Sequence, residues 1–337
     1  MKYLRFLEGI RNPICDFLFS VITYLGSETA FLAIAIFIFW CVSKRRGYYV
    51  LITGLVGTLA NQMLKLIFRI PRPWVKDPSF TIVESAREEA VGYSFPSGHT
   101  QNATGTFGAI ALTSKRRGVR IFLFAVVILV AFSRNYLGVH TFLDVVVSLG
   151  VASLLLLALY PCFYTEERFE KTMPYLIVIC AVLSVGFLVY ANLLPEEGLD
   201  PHNLESGRKN AATLFGCLLG LCVVYPVDKK FIGFTTEGKW YAQVIKLAVG
   251  LGLVLALKAG LKTPLEHLVG VFTDSPVMIA RAIRYFLIVI FAGIVWPLSF
   301  RFFSKMSIPA LDRFTEKVES KICKKSHAPA YDEENEN

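Results

Sequence analysis

Three short segments of this 337-residue chain hold polar residues of kinds and spacings that could do chemistry. The first runs from Lys65 to Arg72 and Pro73, the second is Pro96-Ser97-Gly98-His99, and the third runs from Ser133 and Arg134 through His140 to Asp144. His140 and Asp144 are i,i+4 neighbours, so on a helix the carboxylate can hold one imidazole N–H and leave the other nitrogen basic and oriented. That is the logic of a catalytic triad with histidine itself as nucleophile. Pro96-Ser97-Gly98 ahead of a helix that begins near His99 supplies free backbone N–H groups, a hydroxyl and a positive helix end, which together suit an anion. Gly98 also permits close backbone approach to a phosphoryl oxygen. Lys65, Arg72 and Arg134 add cations for an anion whose charge is spread over three equatorial oxygens at the transition state. Arginine's planar fork suits paired oxygens, and lysine acts as a point charge.

Written as patterns, the segments are KxxxxxxRP, PSGH and SRxxxxxHxxxD, in that order. In this the chain resembles the type 2 phosphatidic acid phosphatase superfamily, which includes glucose-6-phosphatase and the vanadium haloperoxidases. The resemblance covers roughly residues 27–165 and implies a membrane phosphatase with a six-helix core. It further implies that His140 attacks phosphorus to give a phosphohistidine, and that His99 protonates the leaving oxygen and then activates water. The implied substrates are lipid phosphates: phosphatidate, phosphatidylglycerol phosphate, polyprenyl diphosphate or sphingoid-base phosphates, with inorganic phosphate as product. A sugar-phosphate phosphatase and a non-catalytic membrane transporter or binding protein that retains the fold are the alternatives. No metal or cofactor is expected, because two histidines and three cations cover the proton, phosphoryl and charge requirements. Glu84, Glu88 and Glu89 could in principle hold Mg²⁺ but read as a solvated, amphipathic loop helix, and Arg69 reads as an interfacial charge.

The elements that must position these residues are membrane helices. Hydrophobic residues make up 54% of the chain and charged residues 18%, with a mean hydropathy of +0.53; soluble chains carry about 45–50% and about 25%. Disorder and collagen-like repeats are excluded. With about 20 apolar residues needed per crossing, nine spans are expected, near 27–43, 47–68, 97–114, 119–137, 140–163, 173–194, 209–227, 240–260 and 277–303. The fold class is thus an all-α polytopic bundle. Its expected divisions are an interfacial segment at 1–26, a catalytic core at 27–195, additional helices at 196–305 and a polar tail at 306–337 with too few apolar residues to order itself. The seven cysteines show no CxxC spacing and behave as small hydrophobes.

The net charge of +9 lies in short clusters between apolar runs, such as Lys44-Arg45-Arg46 and Lys115-Arg116-Arg117. This is the pattern of membrane loops, not of a nucleic-acid-binding face. Counting spans puts the loops at 69–96, 134–139, 195–208 and 261–276 on the active-site side. The denser clusters lie opposite, so the positive-inside rule points the active site away from the cytoplasm. Oligomeric state is not legible. Ala212, Gly216 and Gly220 form a small-residue stripe that predicts close helix packing, while Arg208, Lys209, Arg281 and Arg284 lack an explanation.

Overall fold

Six helix starts follow hydroxyl or carboxyl caps in the sequence, and the helices ending at Leu159 and Leu193 stop just ahead of Pro161 and Pro195. The computed structural model describes residues 1–273, 276–315 and 317. Its helices are α1 (Lys2–Gly9), α2 (Pro13–Tyr24), α3 (Glu28–Cys41), α4 (Lys44–Phe68), α5 (Pro73–Lys76), α6 (Gly98–Thr113), α7 (Arg117–Tyr136), α8 (Phe142–Leu159), α9 (Glu166–Leu193), α10 (Pro201–Val227), α11 (Trp240–Gly260), α12 (Lys262–Gly270), α13 (Pro276–Ile290) and α14 (Phe300–Lys305). Ser27, Ser43, Ser97, Thr141, Thr165 and Asp200 cap α3, α4, α6, α8, α9 and α10 through their side-chain oxygens. Arg69 ends α4 in the left-handed region at φ 51°, with its Nε bonded to Leu66 O.

Seven of the nine expected spans are helices long and apolar enough to cross a membrane, among the described residues. The other two are α3, with 14 residues, and α6, with 16. The count of nine full-length spans is corrected accordingly. The reason differs in each case. Helix α3 meets α2 at a 46° bend, and the two are long and apolar enough only together, as a broken span or a re-entrant pair. On α2, Ile14, Phe17, Leu18 and Val21 face outward. Helix α6 is buried nearly all round, from Thr100 to Ala111. Enclosed by α3, α4, α7 and α8, it does not meet lipid along its length and so is not held to the bilayer's thickness.

The turn after α7 is closed by Gly138 at φ +81°, with Val139 and His140 N–H groups both donating to Arg134 O. A Cβ at Gly138 would stand 2.6 Å from Arg11 Nη2 and 3.0 Å from Phe80. Arg11 is fastened there by hydrogen bonds to Tyr136 O and Thr81 O. Gly138→Ala is therefore expected to lower the thermal midpoint in detergent by several degrees, a cost of about 1–2 kcal/mol from the left-handed backbone plus the clash. An unchanged midpoint would contradict this account of the turn.

Helices α9 to α13 pack beside this core. Helix α10 lies against α13 and α9 and reaches α4. The small-residue stripe acts as expected: a Cβ at Gly216 would come within 2.2 Å of Ala282 O, and one at Gly220 within 2.8 Å of Val289. At one end of the bundle the basic loops are tied by ion pairs, Lys44–Asp228 at 2.7 Å, Arg45–Glu166 at 3.3 Å and Lys229–Glu170 at 3.1 Å. The loops at 44–46, 164–172 and 228–239 therefore share that end, as the span count requires. Of the segment expected as a polar tail, residues 309–315 are helical, and Asp312 binds Tyr241 and Lys239. The remainder of that expectation, from 318 to 337 and including Cys323, lies outside the described residues.

Candidate active site

His140 stands one residue before the Thr141 cap, in the α7–α8 turn and not on α8 itself. His140 and Asp144 still meet, but the geometry is not that of two residues on one helical face. The Asp144 carboxylate folds back as the third helical residue of a capping box and accepts the Thr141 N–H at 2.8 Å, while Thr141 Oγ1 accepts the Asp144 N–H. The same Oδ2 accepts a 2.6 Å hydrogen bond from Ser94 Oγ and lies 3.5 Å from His140 Nδ1. That last contact is longer than a hydrogen bond and joins two side chains that are each 2% exposed.

The other ring nitrogen fixes the tautomer. Arg72 Nη1 lies 2.9 Å from His140 Nε2. A guanidinium only donates, so Nε2 accepts and carries the lone pair, and the ring proton sits on Nδ1 toward Asp144. Burial, reinforced by Arg72, pushes the His140 imidazolium down from its ordinary range, leaving the ring neutral near pH 7. Arg72 itself lies between Pro71 and Pro73 in extended backbone (φ −64°, ψ 155°). Its guanidinium also donates to Gly92 O at 3.1 Å, Val91 O at 2.9 Å and Val139 O at 3.0 Å.

A cavity of about 420 Å³ opens beside these groups. Lys65, Arg72, Gly98, His99 and His140 line it, whereas Ser97, Arg134 and Asp144 stand behind them. The Ser97 hydroxyl serves as the cap of α6, accepting from Thr100 N and Thr100 Oγ1. Its carbonyl accepts from Ser148 Oγ and its N–H donates to Asp144 O, which locks the start of α6 to α8. Gly98 and His99 bring the open end of α6, with its free N–H groups, to the cavity wall. Arg134 is 1% exposed, donates to Thr23 Oγ1 at 2.5 Å and has its Nε without a partner. Among the described residues no carboxylate pairs with Lys65, Arg72 or Arg134 at ion-pair distance. Buried cations left in that state are a strong demand for an anion.

Two features were not anticipated from sequence. Glu89 does not belong to a solvated acidic loop: its Oε2 lies 2.7 Å from His99 Nε2 at the cavity wall. The His99 hydrogen bond holds its carboxyl below the usual range. Glu84 remains on the outside, paired with Arg87. The second is the contribution of the later helices, since His202, Glu205 and Lys209 of α10 and Arg281 of α13 line the same cavity. No local pattern marks these residues; their only signal was an excess of basic side chains at the corresponding helix ends. Among the described residues no group of three or more His, Cys, Asp or Glu is arranged to hold a metal ion.

Fold and site together define a polytopic helical membrane protein with a buried cationic pocket at one end of the bundle. The chain belongs to the PAP2 superfamily. Residues 45–168 match that family, and residues 211–307 match the transmembrane extension of PAP2 superfamily phosphatases. The chain is 32% identical over 143 residues to undecaprenyl-diphosphatase BcrC of Bacillus subtilis, covering 42% of this chain and 71% of that protein. It is 30% identical over 175 residues to phosphatidylglycerophosphatase B of the same organism, covering 48% and 80%. Human sphingosine-1-phosphate phosphatase 2 is 25% identical over 187 residues, covering 54% of this chain but only 46% of that longer relative. No solved structure matches the chain.

Proposed function

We propose that this protein is an integral-membrane phosphatase that hydrolyses phosphate monoesters or diphosphates of lipids through a phosphohistidine on His140. One observation carries the reading: His140, with its lone pair on Nε2, lines the same cavity as Lys65, Arg72 and the His99–Glu89 pair. In the first step Nε2 forms a bond to phosphorus as the P–O bond to the leaving group breaks, and His99 supplies the proton that the leaving oxygen takes. In the second, His99 takes a proton from water, whose oxygen attacks phosphorus and releases His140. Arg72 passes from Nε2 to a phosphoryl oxygen as substrate enters, so the charge that masks the nucleophile becomes the charge that stabilises the transition state. The His140 Nδ1 proton closes on Asp144 as positive charge develops on the ring.

The names of the relatives support lipid phosphates as the substrate class, and diphosphates, glycerophosphates and sphingoid phosphates all offer the group that the cavity suits. Positive-inside bias supports placing this cavity away from the cytoplasm. The test is phosphate release by purified protein from phosphatidate, phosphatidylglycerol phosphate, polyprenyl diphosphate, a sphingoid phosphate and glucose 6-phosphate, with EDTA present. Release from lipids is expected; release from none of them favours a transporter or binding protein, and release from glucose 6-phosphate alone favours a sugar phosphatase.

The His99–Glu89 pair makes a pH prediction. Burial, with Arg134 nearby, pushes the His99 imidazolium down to about 4, and the ionised Glu89 opposes this by favouring the protonated, acid form. Glu89→Gln removes that charge, so the alkaline limb of kcat/KM is expected to move to lower pH by about one unit. An unshifted alkaline limb would assign Glu89 to packing.

A further inference from the structure

A second cavity, of about 210 Å³ and lined almost entirely by apolar side chains, lies between α3, α4, α10, α11 and α13. It shares Glu28 and Thr29 with the cationic cavity, so the two adjoin at the start of α3. The helices show the same adjacency in their sequences. On α4 the lining residues are Leu51, Leu55 and Thr58 in the apolar cavity, then Gln62 and Lys65 in the polar one. Their steps of three and four residues keep them on one helical face. On α10 the run is Ser206 and Asn210 at the polar end, then Thr213, Cys217, Leu221 and Val224 along the apolar stretch. Helix α13 repeats the pattern from Arg281 through Tyr285 to Ile288.

Three helices thus change from polar to apolar along one shared face, in the same direction and at the same level. An amphiphile lying along the bundle axis would meet matching polar and apolar surface along this face. From Lys65 to Leu51 the face runs about 21 Å at 1.5 Å per residue, more than the roughly 15 Å of hydrocarbon in one leaflet. We infer that this groove, walled on one side by the catalytic core and on the other by α10, α11 and α13, holds a hydrocarbon chain of the substrate whose phosphate sits at His140. The inference rests on the lipid-phosphatase reading and assigns the extension helices a role, that of gripping the chain. Lys258, near the end of α11, sits at the polar end of the groove, where its charged head can reach the headgroup level.

The test compares butyl phosphate with octadecyl phosphate, each in detergent micelles at fixed surface concentration. In the wild type, octadecyl phosphate is expected to be the better substrate. Filling the groove with Ala33→Phe or Val254→Phe, neither of which touches the cationic cavity, is expected to cut kcat/KM for octadecyl phosphate at least about tenfold. Butyl phosphate should stay within about twofold. Equal losses on both substrates, or loss on neither, would overturn the groove assignment while leaving the phosphatase reading intact. Hydrolysis of neither by the wild type would overturn that reading instead. If the variants do not fold, wild-type protein is photolabelled with an octadecyl phosphate bearing a diazirine near its chain end. Label on peptides from Cys217–Val224 or Leu251–Lys258 supports the groove, and label confined to the outer faces of α7 to α9 refutes it.

Discussion

Replacing His140 with alanine is expected to lower kcat for phosphate release by at least about three orders of magnitude, a loss above about 4 kcal/mol of transition-state stabilisation. His140 combines a lone pair held on Nε2 by Arg72 with a place on the cavity wall beside Lys65, Arg72 and His99. The fold should survive the change. Asn135 Nδ2 bonds the backbone carbonyl of His140, not its ring, and the turn is held by Gly138 and by Arg134 O. A circular dichroism spectrum and thermal midpoint close to wild type are therefore expected together with the lost activity. Wild-type protein quenched during turnover of labelled lipid phosphate should carry an acid-labile, alkali-stable phosphoryl group, as a P–N bond requires, and His140→Ala should carry none. Retained phosphate release in the alanine variant would remove His140 from the nucleophile's role.

Arg72→Lys is the second large effect. The substitution keeps the charge but loses the fork that reaches Val91 O, Gly92 O, Val139 O and His140 Nε2 at once. A lysine ammonium cannot span that set, so buried carbonyls are left without donors at about 1–3 kcal/mol each. Losing one positioned donor to a developing anion costs about 10²–10³ in rate, and a fall of that size in kcat/KM is expected here. It should be accompanied by a lower thermal midpoint, because the same guanidinium staples the 91–92 loop to the α7–α8 turn. A midpoint that drops with unchanged kcat/KM would make Arg72 a structural staple alone. Activity within about threefold of wild type and an unchanged midpoint would contradict both roles.

The amino-acid sequence by itself determined the all-helical membrane character, most of the helix boundaries and a set of eight candidate residues, five of which line one cavity. These are local properties. Apolar runs define spans because an unpaired backbone is intolerable in hydrocarbon, and motif residues near the ends of successive spans come out at one end of the bundle once each span crosses. Tertiary structure decided what depends on contacts between distant segments. It brought Ser94 onto the Asp144 carboxylate, which the local Thr141 capping box already turns back, with His140 left in the turn before α8. Chain packing brought Glu89 to His99, a pairing that no spacing rule encodes. It also allowed α3 and α6 to be short, since an element bent against its neighbour or enclosed by other helices is not measured against the bilayer. Finally, it closed the cationic cavity and its apolar neighbour with residues of α10, α11 and α13. Their side chains carry no motif; Gly207 lets α10 approach Leu66 of α4, and Gly216 and Gly220 let α10 and α13 pack closely.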